Sequence, residues 1–323
     1  MRFHETIKYI RIKLNLTQKD IYEGIVSQST YSRFENGLRI LPIEDIEIFA
    51  NRLGMQLSDV YTIQKEQDNC MTYIVNQTKK CLNQKNDPMK ELNIYSLEHL
   101  FQTANEYKNS SLEFLRYFYL IRQHFHKFSP NIPKITSKNT DRIYFELKKR
   151  KLITRIHHQF IIDFTVHFSD EQILDISNFF KEYDFNQLSS FNSQYSYQLP
   201  EALSNLADSS IDRASYRTDN IRGKLLDNAN ELLSILFKYQ NIKYSSDHVI
   251  LYKASKYRYD YYIADNEQAK ASARQNLEDF LEELKYYISK APVRHIYAEG
   301  CIPSVENTLA GKLPLKEINY IIT

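Results

Sequence analysis

Between Gly54 and Gly300 this chain carries a single glycine, Gly223, and no other feature narrows its fold so far. Hairpins and tight turns need residues with φ above zero, which glycine adopts at least cost. A segment almost without glycine is therefore poorly suited to antiparallel sheet and well suited to helices. The whole chain of 323 residues holds six glycines, where average usage of about 7% would supply more than three times as many. Their positions, Gly24, Gly37, Gly54, Gly223, Gly300 and Gly311, spell neither G-x-G-x-x-G nor G-x-x-x-x-G-K-[ST]. Dinucleotide-binding and P-loop readings lose their phosphate cradles.

The remaining composition is that of a folded chain. A hydrophobic share of 42% and a charged share of 25% supply a sizeable core, and the length gives a prior of about two domains. No run approaches the roughly 18 uncharged apolar residues of a membrane span. The opening MRFHETIKYIRIKLN is charged where a signal peptide needs its apolar stretch, so the expected location is the cytoplasm. Cys70, Cys81 and Cys301 are too few and too scattered for a disulfide framework or zinc site. His124, His126, His157, His158 and His167 lack the H-E-x-x-H or cysteine company of a metal centre, so neither metal nor cofactor is expected, nor an enzyme. A net charge of +2 names no partner by itself.

The first sixty residues are the most informative. Ile7, Ile10 and Leu14 recur at helical spacing, predicting an amphipathic helix from about residue 3 to 15. In LTQKDIYEGI, Thr17 caps a second helix, Asp20 stands at the capping-box position, Ile21 and Ile25 face inward, and Gly24 ends the helix. In VSQSTYSRFENG, Ser27 caps a third, Tyr31 and Phe34 form its buried side, and Gly37 follows its end. A fourth helix carries Ile43, Ile46, Phe49, Ala50 and Leu53, and Ser58 is the expected cap of a fifth. A capped helix and a tight turn leading into a polar-faced helix form the unit that presents side chains to a DNA major groove.

LTQKDIYEGIVSQSTYSRFENG followed by IEDIEIFANRLGMQLSDV resembles the five-helix DNA-binding domain of the phage-repressor (XRE) family. By position, the resemblance implies a DNA-backbone contact for Gln18 and base-edge contacts for Gln28, Ser29 and Arg33. Arg33 would pair with guanine and Gln28 with adenine. Thr30, Ser32, Asn36 and Arg39 are the phosphate candidates, which position the protein without specifying sequence. Arg11 and Glu35 match a family pair that ties the first helix to the third. Local charge agrees: residues 1–39 carry seven basic and four acidic groups, residues 40–66 two basic and five acidic.

From about residue 67 the chain reads as repeated amphipathic helices, two in every 35–45 residues or so, the size of a tetratricopeptide-like repeat without its consensus small residues. The expected architecture is all-α. A helix-turn-helix domain over 1–66 is followed by a degenerate, right-handed tetratricopeptide-like repeat domain over 67–290. A C-terminal arm over 291–323 departs from helical periodicity and holds Gly300, Gly311 and three prolines. This order of parts is similar to the cytoplasmic peptide-pheromone receptors of Gram-positive bacteria, the Rgg/PlcR/PrgX-like group, with IVSQSTYSRFENG most like the Rgg-type regulators. The resemblance implies a homodimer, a double-stranded operator with inverted half-sites, and a short signalling peptide in the repeats.

Candidate peptide contacts are Arg150, Asn228, Asn230, Tyr257 and Tyr261. Arg150 lies in the basic run 148–151, which suits either a peptide carboxylate or DNA phosphate, or else a solvated helix end. Asn228 and Asn230 offer donor and acceptor to a peptide backbone, or are surface asparagines. Tyr257 and Tyr261 line a groove or pack helices together. The alternative function is a plasmid or phage repressor whose helical body only dimerises or binds protein partners.

Overall fold

The computed structural model describes residues 2–67, 69–85, 91–149, 154–181, 193–242, 245–291 and 295–312. Their regular structure is helical, in two compact units, residues 1–133 and 134–323. The expected boundary near residue 66 falls inside the first unit.

The first unit opens with five short helices, α1 (Phe3–Lys13), α2 (Gln18–Tyr22), α3 (Gln28–Glu35), α4 (Ile43–Arg52) and α5 (Leu57–Gln67). The Thr17 side chain accepts from the Asp20 amide and Asp20 accepts from the Thr17 amide at 2.7 Å, closing the capping box expected there. Ser27 caps α3 by accepting from the Thr30 amide at 3.2 Å. The fifth start differs: α5 begins before Ser58, and Asp59 caps it by accepting from the Gln56 amide at 2.8 Å. The contact is the back-reaching half of a capping box, with Asp59 at its third helical position, in place of the N-cap expected at Ser58. Ile7, Ile10, Ile21, Tyr31, Phe34, Leu41, Phe49, Ala50, Leu53 and Val60 close one core, with the Tyr31 and Phe49 rings edge to face at 5.0 Å.

Three longer helices complete this unit: α6 (Asn69–Lys85), α7 (Ile94–Tyr107) and α8 (Leu112–Phe125). Ile74, Leu97, Leu100, Ala104, Leu115 and Leu120 are buried. Stacked rings pair Phe101 with Phe118 and Tyr107 with Phe114 at 5.6 and 5.4 Å, joining α7 to α8.

The second unit contains α9 (Ser137–Lys148), α10 (Arg155–Phe164) with a 3-10 turn after it (Thr165–His167), α11 (Asp170–Lys181), α12 (Ser193–Ser215), α13 (Asn220–Ile242), α14 (Ser246–Ile263), α15 (Glu267–Lys290) and α16 (Ile296–Leu309). Most successive helices pack on one another, α10 packs on α12, and α12 against α13 is the most extensive pairing. The last helix departs from expectation. Residues 296–309 continue the helical body despite Gly300 and Pro303, because Ala298, Cys301 and Val305 form a buried stripe against α14 and α15. Residues 313–323, the rest of the expected arm, lie outside the described residues. Gly223 sits on the exposed side of α13, and a Cβ there would meet nothing within 4 Å, so it serves no close approach.

Candidate nucleic-acid interface

The geometry of α3 is set from beneath. Tyr31, Phe34 and Glu35 face inward and are almost fully buried. Glu35 takes both ends of a guanidinium fork, from Arg11 Nε at 2.6 Å and Arg11 Nη2 at 3.0 Å, while Arg11 Nη1 donates to the Leu16 carbonyl at 2.8 Å. The Gln18 amide adds a third donor to Glu35 at 2.7 Å. One carboxylate thus fastens α1, α2 and α3 at a fixed angle. Burial pushes the Glu35 carboxyl upward, but the hydrogen bonds from Arg11 and Gln18 outweigh it and hold the group below the ordinary carboxylate range. The same bond raises Arg11 above its usual value. Burial, reinforced by Glu35, raises the Tyr31 hydroxyl. A charge pair in these conditions serves geometry more than net stability.

Gln28, Ser29 and Arg33 stand exposed on the outer face of α3, with Ser32 and Thr30 half-buried beside them. At the N-terminus of α3 the Ser27 hydroxyl meets Ser29 Oγ at 3.1 Å and Thr30 Oγ1 at 2.9 Å. Arg39 Nη1 lies 3.5 Å from Thr30 Oγ1, so a residue beyond the helix reaches back to its start. Asn36 ends α3 and its Oδ1 lies 3.4 Å from Lys8 Nζ. Gly37 then turns the chain with φ of +71°, beneath the His4 ring.

The structure therefore brings the eight DNA candidates onto one small domain, with two refinements. Gln18 uses part of its amide to hold Glu35, coupling the start of α2 to α3. Lys8, read from the sequence only as one of the seven basic residues of 1–39, joins the same surface from α1. Its signal was weak because it lies 28 residues from Asn36. Arg52 was also unforeseen: its Nη1 donates to the Ile21 carbonyl at 2.9 Å and ties α4 to the end of α2.

The described peptide candidates, Asn228, Asn230, Tyr257 and Tyr261, lie in the second unit. Asn228 is 2% exposed, and its Nδ2 donates to Ser177 Oγ at 3.1 Å and Ser210 Oγ at 3.0 Å, inside the packing of α11, α12 and α13. Asn230 is exposed two residues on. Tyr257 meets Phe280 edge to face at 5.5 Å, while Tyr261 sits against Tyr262 and beneath Lys270 Nζ at 4.3 Å. Both rings pack on the cluster of Leu277, Phe280 and Leu284. Arg150 lies outside the described residues, but its neighbours Lys148 and Lys149 pair with Asp175 and Glu146 at 3.1 and 3.2 Å.

An open groove of about 630 Å³ runs between α9 and the start of α11, lined by Thr140, Asp141, Tyr144, Lys148, Phe168 and Asp175 among others. In its wall, burial pushes Asp175 upward, but hydrogen bonds from the Tyr144 hydroxyl and Lys148, with the Lys148 charge, hold it below the ordinary carboxylate range. Among the described residues no helix is long and apolar enough to cross a membrane.

Residues 7–60 match the helix-turn-helix family model. No curated protein matches the chain by sequence. Among solved structures, a point mutant of PrgX superposes with a TM-score of 0.63 at 17% identity, over 96% of this chain and 94% of that one. PrgX in its cCF10 complex gives 0.59 at 18%, over 98% and 94%. The SHP pheromone receptor Rgg2 of Streptococcus dysgalactiae gives 0.64 at 10%, over 96% and 99%. Identities this low speak to fold. The chain carries a helix-turn-helix at its N-terminus, and along nearly its whole length it has the all-helical fold of PrgX and Rgg2.

Proposed function

We propose that this protein is a homodimeric, sequence-specific DNA-binding transcription regulator whose helical body responds to a short signalling peptide, acting in the cytoplasm. The observation that carries the DNA half is α3: its outer face offers Gln28, Ser29 and Arg33 to solvent, while Arg11, Glu35 and Gln18 lock its angle from below. Gln28 and Arg33 read base edges, and Thr30, Ser32, Asn36, Arg39 and the remaining donor of Gln18 meet phosphates. Two heads related by a dyad would read inverted half-sites spaced by about 34–36 Å or a multiple.

The peptide half rests on likeness of fold to a receptor described with its peptide pheromone and to a second pheromone receptor. The groove beside α9 offers room for such a ligand. Peptide shifts activity only through different affinity for two arrangements of the dimer. Selection of bound duplexes from a randomised library, with mass spectrometry of short peptides that co-purify, tests both halves. An enriched palindromic motif and a bound peptide are expected, and their absence rejects the respective half.

The competing reading, a repressor whose body only dimerises or binds proteins, is favoured by Asn228 and Tyr257, which are occupied in packing. A body that takes up no peptide heat in titration calorimetry, in a protein that still binds its operator, supports it.

A further inference from the structure

The groove between α9 and α11 carries more negative charge than positive. Three carboxylates line it, Asp141 on α9 and Glu171 and Asp175 on α11, against the ammonium of Lys148 and the ring of His167. The helix ends do little to redress this. Capping boxes pairing Thr136 with Asn139 and Ser169 with Gln172 already take the first amides of both helices, and Glu171, in the first turn of α11, offsets the positive end of its own helix. Asp141 and Asp175 lie a full turn or more inside their helices, on facing walls.

Each of these two carboxylates is engaged through one oxygen. Asp141 Oδ1 accepts from Gln172 Nε2 at 2.8 Å, and Asp175 Oδ2 takes both the Tyr144 hydroxyl and Lys148 Nζ, the latter at 3.1 Å. Among the described residues Asp141 Oδ2 and Asp175 Oδ1 receive no donor, although an ionised carboxylate accepts through both oxygens. Phe168 and Thr140 also line the groove and are almost fully buried, so they form its floor. A basic side chain has the matching anatomy: an aliphatic stem for a floor of ring and methyl, and a charged head with several N–H donors for two open oxygens. A free amino terminus brings the same ammonium without the stem. We propose that the groove holds a cationic group of the signalling peptide, its ammonium or guanidinium donating to Asp141 and Asp175. The proposal rests on the peptide half of the proposed function and names the chemistry selected there, a basic peptide over an apolar or acidic one.

The test uses the full-length protein and randomised heptapeptides, one library with free amino termini and one acetylated. Peptides retained by the protein are sequenced by mass spectrometry, and the most enriched is titrated calorimetrically. A cationic group is expected in every enriched peptide: lysine or arginine retained in both libraries assigns it to a side chain, and enrichment confined to the free-amino library assigns it to the chain end. Replacing that group by norleucine or by acetylation is expected to weaken binding about tenfold or more. The variant Asp141→Asn/Asp175→Asn is expected to weaken it as much, and the two changes together no further. Asparagine keeps an acceptor oxygen for Gln172 and for Tyr144, so the thermal midpoint is expected to hold. If that variant fails to fold, Lys148→Met decides: loss of the wall's ammonium should tighten the cationic peptide, and unchanged or weaker binding overturns the proposal. Enriched peptides without a basic group, or a basic peptide that binds both proteins alike, overturn it and leave the peptide reading standing. If no peptide is enriched, that reading fails and the proposal with it.

Discussion

Arg11 and Glu35 show how far one buried pair can organise a small domain. Replacing Arg11 with methionine leaves the Glu35 carboxylate inside the head without its fork, and breaking such a pair from one side costs about 3–5 kcal/mol. A urea melt followed at the head should show that loss, and the double variant Arg11→Met/Glu35→Leu should recover most of it. The pH dependence has a definite sign. Because the folded carboxyl of Glu35 lies below its ordinary 4.5, its contribution is complete above that value and is lost as pH falls through the lower folded value. The pair was legible in the sequence only through family resemblance. Nothing in the spacing of Arg11 and Glu35 specifies a contact, whereas Thr17 and Ser27 announced their capping roles locally. Gly37 is a second constrained position: alanine there adopts a left-handed conformation, at about 1–2 kcal/mol, and its Cβ would sit 2.6 Å from the His4 ring.

At the scale of the element, Gly24 and Gly37 were read correctly just past the ends of helices, and glycine and proline wrongly where they sit inside one. Gly300 and Pro303 suggested a break, yet the Ala298, Cys301 and Val305 stripe holds α16 on its neighbours. Part of what holds it was beyond sequence reading. Arg258 on α14 is almost fully buried and donates through Nε to Thr308 Oγ1 on α16 at 3.0 Å, to Asp208 on α12 at 2.8 Å, and to Asp212 on α12. These partners lie 46 to 50 residues away, so no local pattern could join them. Burial, with Asp212 alongside, outweighs the attraction of Arg258 and pushes Asp208 up from 3.8 to about 6. A raised folded value means that Asp208's contribution to stability is full below 3.8 and lost as pH rises through about 6. The second unit should therefore resist urea better near pH 5 than at pH 7.5, and Asp208→Asn should flatten that difference. Gly223 gives a simpler test: with open space around its Cα inside α13, Gly223→Ala should raise stability by about 0.5–1 kcal/mol in the same melt.

At the scale of the whole molecule, the all-helical class, the caps of α2 and α3 and the helix-turn-helix were readable, because capping residues and 3.6-residue periodicity act within a few positions of the chain. A peptide site was not readable from the same signals. Asn228 has the chemistry of a backbone clamp, but α11 and α12 supply the serines that its amide protons reach. Tyr257 has the chemistry of a groove wall, but Phe280 fills the space beside it. Residue type announces such roles without announcing which neighbours have already claimed them. The DNA face differs because most of its exposure follows from the period of α3: burying Tyr31 and Phe34 turns Ser29 and Arg33 outward, and Gln28 is exposed as the first residue of the helix. The most direct measurement is fluorescence anisotropy of a library-selected duplex with full-length wild-type protein and Arg33→Ala. Loss of one bidentate base contact, about 1–3 kcal/mol, should weaken specific binding by roughly 5- to 150-fold, leaving binding to unrelated duplex and the thermal midpoint nearly unchanged. Equal affinity of the two proteins for the selected duplex would contradict the claim that α3 reads DNA.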